Sequence, residues 1–217
     1  MNMRSIAVLS AFMLVFTLAG CGKKSKKDSG SGIVFGDCAA FDNEYGEVKD
    51  AAEGPLLSIS DSKAKPGETA EVTLSVKNAD KKWTMCGLHI AFPDLLNCVL
   101  EDEEERIPKM DYGEAIKGSS GAVGKLWRDN LPEALTNVRK KSLFFTAMFT
   151  DNKGKDGDIV TFYFDIPADA KPGTVYDIDF YYSNTKNAKD MFKSDKNDLS
   201  FEKYAFTNWQ GGSITVE

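Results

Sequence analysis

Asp158–Ser183 reads DIVTFYFDIPADAKPGTVYDIDFYYS, two β-strands joined by a loop rich in proline and glycine. In the first strand Val160, Phe162, Phe164 and Ile166 alternate with Ile159, Thr161, Tyr163 and Asp165, a period of two that sends the first set to a core and the second to the far side. In the second, Tyr176, Ile178, Phe180 and Tyr182 alternate with Val175, Asp177, Asp179 and Tyr181. Pro167 to Gly173 stops both, because proline donates no ladder hydrogen bond and glycine takes turn dihedrals. The pair is predicted as a hairpin, and an apolar face of this width needs a second sheet to bury it.

The same period recurs on either side. Leu56 to Ser60 is a short strand, and Lys65-Pro66-Gly67-Glu68 a turn. Thr69 to Lys77 then sets Ala70, Val72, Leu74 and Val76 against Glu71, Thr73, Ser75 and Lys77, one apolar face and one wet face. After the turn Asn78 to Lys82, Met85 to Phe92 sets Cys86, Leu88, Ile90 and Phe92 against Met85, Gly87, His89 and Ala91. This second set lacks the charge of a solvated face. Leu95 to Leu100 begins a further strand that runs into the acidic Glu101–Glu105, read as a solvated loop. Ile107 to Lys141 interrupts the pattern, with a glycine- and serine-rich loop at Gly118 to Gly124 and either a helix over Leu131 to Val138 or a strand over Ala134 to Arg139. Ser142 to Thr150 is a strand apolar on both sides. Asp151 to Asp158, DNKGKDGD, is a loop: an EF-hand reading puts Lys153 and Lys155 where ligands belong and Asp156 where glycine belongs. Asn184 to Gln210 is a long polar connection with core-type Met191, Phe192, Phe201, Tyr204, Phe206 and Trp209, and Gly212 to Val216 is the last strand. Regular strands between proline- and glycine-bearing turns predict an all-β sandwich over residues 55–217, with one short helix in a loop.

The N-terminus carries an address. Met1 to Thr17 has one charge, Arg4, followed by an apolar run too short to span a bilayer, the form of a secretion signal over residues 1–20. Leu18-Ala19-Gly20-Cys21 resembles the lipobox of bacterial lipoproteins, which makes Cys21 the expected site of lipid attachment and the outer side of a membrane the expected location. Residues 21–32 include GKKSKKDSGSG, a flexible tether, and residues 33–54 form an N-terminal extension in which Ile33-Val34-Phe35 suits a short strand. Setting aside Arg4, the four tether lysines and Asp28, the net charge of −6 becomes −10 for the remainder, which disfavours a nucleic-acid partner. Cys38, Cys86 and Cys98 have no zinc-site spacing; Cys86 and Cys98 either bridge or remain buried thiols.

Leu56 to Glu217 resembles a cohesin domain, the dockerin-binding module of cellulosome scaffoldins. The residues that carry the resemblance are the KPGET turn with its VTLSV strand, CGLHIAFPDLLNCVL, FTAMFTDN, GDIVTFYFDIPADAKPGTVYDI and the closing GGSITV, in that order. Phe92-Pro93-Asp94 departs from the family's tyrosine, aspartate and proline, and the Ile107–Lys141 insertion and the long connection before the last strand resemble the divergent ruminal type. The resemblance implies a nine-stranded jelly-roll sandwich whose eighth, third, sixth and fifth strands form a sheet that docks a calcium-loaded dockerin. It implies no cofactor in this chain, calcium in the partner, and a monomer when unbound. Met85–Phe92 and Ser142–Thr150 are the third and sixth strands, so Met85, His89, Ala91, Phe144, Thr146, Met148 and Thr150 form the expected contact patch, with Asp151 at its rim; the alternative is that the Ile107–Lys141 insertion covers this patch.

Other classes have less support. With a single histidine, no nucleophile elbow and no histidine–carboxylate metal spacing, an enzyme is not expected. A carbohydrate- or solute-binding lipoprotein is the alternative, with Trp83, Trp127, Trp209 and Tyr181 as stacking candidates.

Overall fold

Alternation decides most of the strands. The computed structural model describes residues 33–35, 54–127, 140–151, 153–185, 188–195, 200–206 and 208–217. In chain order the elements are β1 (Ile33–Phe35), β2 (Leu56–Ile59), β3 (Ser62–Ala64), β4 (Thr69–Lys77), β5 (Met85–Pro93), β6 (Asn97–Cys98), β7 (Leu100–Asp102), β8 (Ile107–Pro108) and β9 (Met110–Tyr112). They continue with β10 (Gly121–Trp127), β11 (Lys140–Met148), β12 (Gly157–Asp165), β13 (Val175–Thr185), β14 (Ala188–Lys189), β15 (Met191–Lys193), α1 (Ser200–Ala205), β16 (Trp209–Gln210) and β17 (Gly212–Val216). No helix among the described residues is long and apolar enough to cross a membrane.

Two sheets face each other. One runs β10-β11-β5-β13-β17-β3, with β1 and β14 added on β13 and β15 on β5; the other runs β16-β2-β4-β12-β6, with β9 added on β12. This is the sandwich expected, and β13-β5-β11-β10 reproduces the eighth-third-sixth-fifth order. The first strand divides between the sheets: β2 pairs antiparallel with β4, and β3 pairs parallel with β17. Gly212 permits that crossing, because a Cβ there would lie 2.4 Å from the Ser60 carbonyl oxygen.

The core joins the two inner faces. Phe92 meets Phe164 edge-on at 4.9 Å and Phe145 meets Phe162 at 6.3 Å, and all four rings are buried. Trp83, fully buried, packs on Phe149 at 5.4 Å and Phe192 at 4.9 Å. The connection after β13 contributes Phe192, α1 and Phe206, and the Phe206 ring packs on Tyr182 at 5.2 Å.

Three expectations need correction. β12 and β13 are not a hairpin: they belong to opposite sheets, and Pro167–Gly173 arches between them. The arch is anchored where Ile166 N–H donates to Glu68 O at 2.9 Å and Gly173 N–H donates to Val216 O at 2.8 Å. Ile159 is buried together with Val160, because a bulge between Asp158 and Val160 shifts the register. Gly121–Gly124 is not loop but the start of edge strand β10, and Ile107–Tyr112 holds β8 and β9. Of the two states left open for Cys86 and Cys98, the structure has free, buried thiols. The acidic run ends strand β7 with Glu101 and Asp102 and continues as Glu103–Glu105 in the turn to its partner β8, and no group of three His, Cys, Asp or Glu among the described residues is placed to hold a metal ion. The helix or strand expected within 131–139 lies outside the described residues, as do Cys21 and Cys38.

Candidate docking face

Residues directly opposite in paired strands point to the same side of a sheet, so the outer face of β10, β11, β5, β13 and β15 is a set of rows. The first row is Gly121, Met148, Met85 and Lys193; the second is Val123, Thr146, Gly87 and Met191. The third is Lys125, Phe144, His89 and Tyr181, and the fourth is Ser142, Ala91 and Asp179. Within these rows β5 and β11 carry no Lys, Arg, Asp or Glu, because half of the face is covered and half is open and apolar there, and the charged Lys125, Lys193 and Asp179 stand on the flanking strands.

The covered half holds His89 and Ala91, at 2% and 0% exposure, so neither is available to a partner, and this corrects the expected patch. His89 lies between the rings of Phe144 at 4.6 Å and Tyr181 at 5.1 Å. Its Nδ1 contacts the carboxylate of Asp190, which is fully buried. Beside it the Ser142 and Tyr181 hydroxyls share a hydrogen bond. Burial pushes the Tyr181 phenol above its ordinary range and nearby Asp190 adds to this, while the Ser142 bond opposes it. The covering residue Asp190 arrives from the connection after β13, about a hundred residues downstream of His89, and residues 128–139 of the insertion lie outside the described residues.

The open half holds the rest. Met148 is 47% exposed and Val123, opposite Thr146, is 56% exposed. Met85, Phe144 and Thr146 are half-buried, Thr150 and Asp151 are exposed, and Asp151 pairs with Lys153 at 3.1 Å. Thr146 donates its hydroxyl to the Cys86 carbonyl at 2.8 Å, which fixes the rotamer that presents its methyl. Val123 and Lys193 join the face although sequence reasoning missed them, and Met191, read there as core-type, faces outward with them because its neighbour Phe192 points inward. Val123 was hidden because GAVGKLW sends only Ala122, Gly124 and Leu126 inward, too little apolar bulk to mark a strand. A flat apolar area of this kind suits another protein surface better than a small molecule, which requires concavity.

Among the described residues the sugar-stacking candidates do not assemble. Trp83 and Tyr181 are buried, Trp209 is half-buried with its ring stacked on Phe180 at 6.2 Å, and the Trp127 side chain lies outside the described residues.

No protein-family model and no curated protein matches the chain. Among solved structures it is similar to a type III cohesin module from the cellulosomal ScaE cell-surface anchoring scaffoldin of Ruminococcus flavefaciens, with 27% identity and a TM-score of 0.63 over 79% of this chain and 93% of that one. It is also similar to the third cohesin of ScaC from Acetivibrio cellulolyticus, solved with the ScaB dockerin, with 17% identity and a TM-score of 0.54 over 75% of this chain and 98% of that one. The sixth cohesin of scaffoldin B from the same organism, solved with a Cel5 dockerin mutant, aligns with 15% identity and a TM-score of 0.50 over 76% and 99%. The latter two likenesses speak to the fold alone. The sandwich of this chain is therefore that of a cohesin module, similar over most of its length to those of cellulosomal scaffoldins and divergent from them in sequence.

Proposed function

We propose that this chain is a non-catalytic, lipid-anchored receptor on the cell surface that docks a calcium-loaded dockerin and so holds polysaccharide-degrading proteins at the cell. Cys21 carries the lipid, residues 21–32 are the tether, and the sandwich binds the partner as a monomer; calcium resides in the dockerin. The observation that carries the reading is the open half of the β10-β11-β5 face, with Val123, Met148, Thr146 and Met85, on a sandwich similar at 27% identity to the cohesin of a cell-surface anchoring scaffoldin. Three features support a protein partner: an apolar outer face where an antiparallel sheet is usually wet, methionines that adapt to a partner's shape, and flatness.

The test is calorimetric titration of the protein with a panel of calcium-loaded dockerins. Micromolar or tighter binding that EDTA abolishes, with the circular dichroism of this chain unchanged by EDTA, is the expected result. Retention on cellulose or xylan with no dockerin bound would transfer the chain to the sugar-binding class.

A further inference from the structure

The chain enters the sandwich at one end, and that end is basic. β1 begins at Ile33, directly after residues 21–32, and Ile33 pairs with Ser183. Because Tyr181 pairs with His89, Ser183 lies level with Gly87, near the start of β5. Residues 78–84 carry the chain from β4 to β5 and residues 149–156 from β11 to β12, and both loops cross between the sheets at this same end, where Met148 faces Met85. We propose that this end of the sandwich is a membrane-facing surface that rests on anionic lipid headgroups and so holds the strands upright, with the docking sheet open to the side. This rests on the lipid-anchor reading.

The two loops are bonded into one platform. Lys81 N–H donates to Gly154 O at 2.7 Å, and Gly154 N–H donates to Trp83 O at 3.1 Å. The Asp156 carboxylate accepts from Asn78 N–H at 3.1 Å and Ala79 N–H at 2.7 Å, and the Trp83 indole N–H donates to the Lys155 carbonyl at 3.3 Å. These bonds hold Asn78 and Lys81 at φ of 63° and 56°, left-handed values that few residues other than glycine adopt. The backbone beneath the exposed Lys81, Lys82 and Lys155 is therefore fixed.

The charge of this end opposes that of the chain. The 3-10 turn Glu114–Ile116 belongs to it through Lys155 N–H, which donates to Ala115 O at 3.1 Å, and residues 193–195 belong to it through Thr84 N–H, which donates to Lys193 O at 2.8 Å. Two exposed ion pairs here, Lys117–Glu114 at 3.0 Å and Lys153–Asp151 at 3.1 Å, each cancel. Lys77, Lys81, Lys82, Lys155 and Lys193 then stand against Asp80, Asp156 and Asp195, a positive surplus in a portion of the chain whose net charge is −10.

Position turns that surplus into an orientation. Screening confines attraction by a charged bilayer to about 8 Å at physiological ionic strength, so only the end held beside the lipid feels it. A tether of residues 21–32 holds this end within about 20 Å of the anchor, and β5, nine residues long, sets the opposite end about 30 Å farther out. The anchor makes the contact intramolecular, so a few lysines suffice to orient a protein they need not recruit.

The experiment reconstitutes the lipidated chain, purified from membranes, into vesicles of phosphatidylcholine alone or of equal parts phosphatidylcholine and phosphatidylglycerol. Acylation of each lysine by an amine-reactive ester is followed by peptide mapping. Lys81, Lys82 and Lys155 are expected to react at least fivefold more slowly in the anionic vesicles, while Lys65 and Lys171, exposed in turns at the opposite end, react alike in both. Salt at about 1 M, which shortens the screening length to about 3 Å, is expected to restore the rate. In Lys82→Glu/Lys155→Glu, Lys81 is expected to react at its neutral-vesicle rate, while the variant floats with both vesicles and melts like the parent. Equal Lys81 rates in the two vesicles for the parent, or slow labelling that persists in the double variant, overturns the inference and leaves the anchor standing. A parent chain that does not float with neutral vesicles removes the anchor and the inference with it.

Discussion

His89 sets how much of the sheet a partner can reach. Its imidazole is enclosed by Phe144, Tyr181 and Asp190, so its contribution is to the fold. Truncating it removes a partner from a fully buried carboxylate, and His89→Ala is expected to cost about 3 kcal/mol and lower the melting midpoint by about 6 °C or more. Met148→Ala and Val123→Asp act oppositely: each is expected to weaken dockerin affinity at least tenfold, about 1.4 kcal/mol, with stability changed by less than about 0.5 kcal/mol. Calorimetry paired with melting curves separates the two classes. The buried thiols give a pH prediction. Burial pushes Cys86 and Cys98 up to about 12 from 9.0, so between those values the folded chain retains protons that the unfolded chain has lost. Stability is therefore expected to be intact below pH 9 and to fall as pH rises toward 12, and a thiol reagent at pH 8 should label Cys86 and Cys98 only after unfolding; labelling of either of these two in the native protein, located by peptide mapping, would contradict their burial.

At the scale of elements, alternation made most strands legible but not their partners. DIVTFYFDI and TVYDIDFYYS read correctly as strands with apolar faces, yet a seven-residue loop is long enough to cross the roughly 10 Å between sheets, and periodicity cannot tell an arch from a hairpin. β10 was missed because Gly121, Ala122 and Gly124 fill positions that larger residues would have marked. The candidate patch was half legible: pleat geometry placed Met85, Phe144, Thr146 and Met148 on one face, but the burial of His89 and Ala91 depends in part on chain far downstream, which local pattern does not encode. The loop before β12 offers a test of element packing. Gly154 lies flat against Trp83, where a Cβ would be 2.1 Å from the indole Cε2. Gly154→Ala is expected to cost about 1–3 kcal/mol and to alter tryptophan emission, with an unchanged spectrum and melting curve as the contrary result.

For the whole molecule, the account joins an anchor, a tether and one docking face. Cys21→Ser is expected to move the protein from the membrane fraction to the soluble fraction, since durable attachment depends on the acyl chains. Persistent membrane association would remove the lipid anchor from the account. Under the proposed function, the tether expected from the composition of residues 21–32 would span on the order of 20 Å, enough to stand a sandwich off the lipid while keeping it at the surface. What joins these parts is the claim that the open half of the β10-β11-β5 sheet receives a dockerin. Titration of the parent chain and of Met148→Ala against calcium-loaded dockerins tests it most directly: the account predicts EDTA-sensitive binding by the parent that falls at least tenfold in a variant melting at the same temperature, and binding that Met148→Ala leaves intact, or no binding to any dockerin, would contradict it.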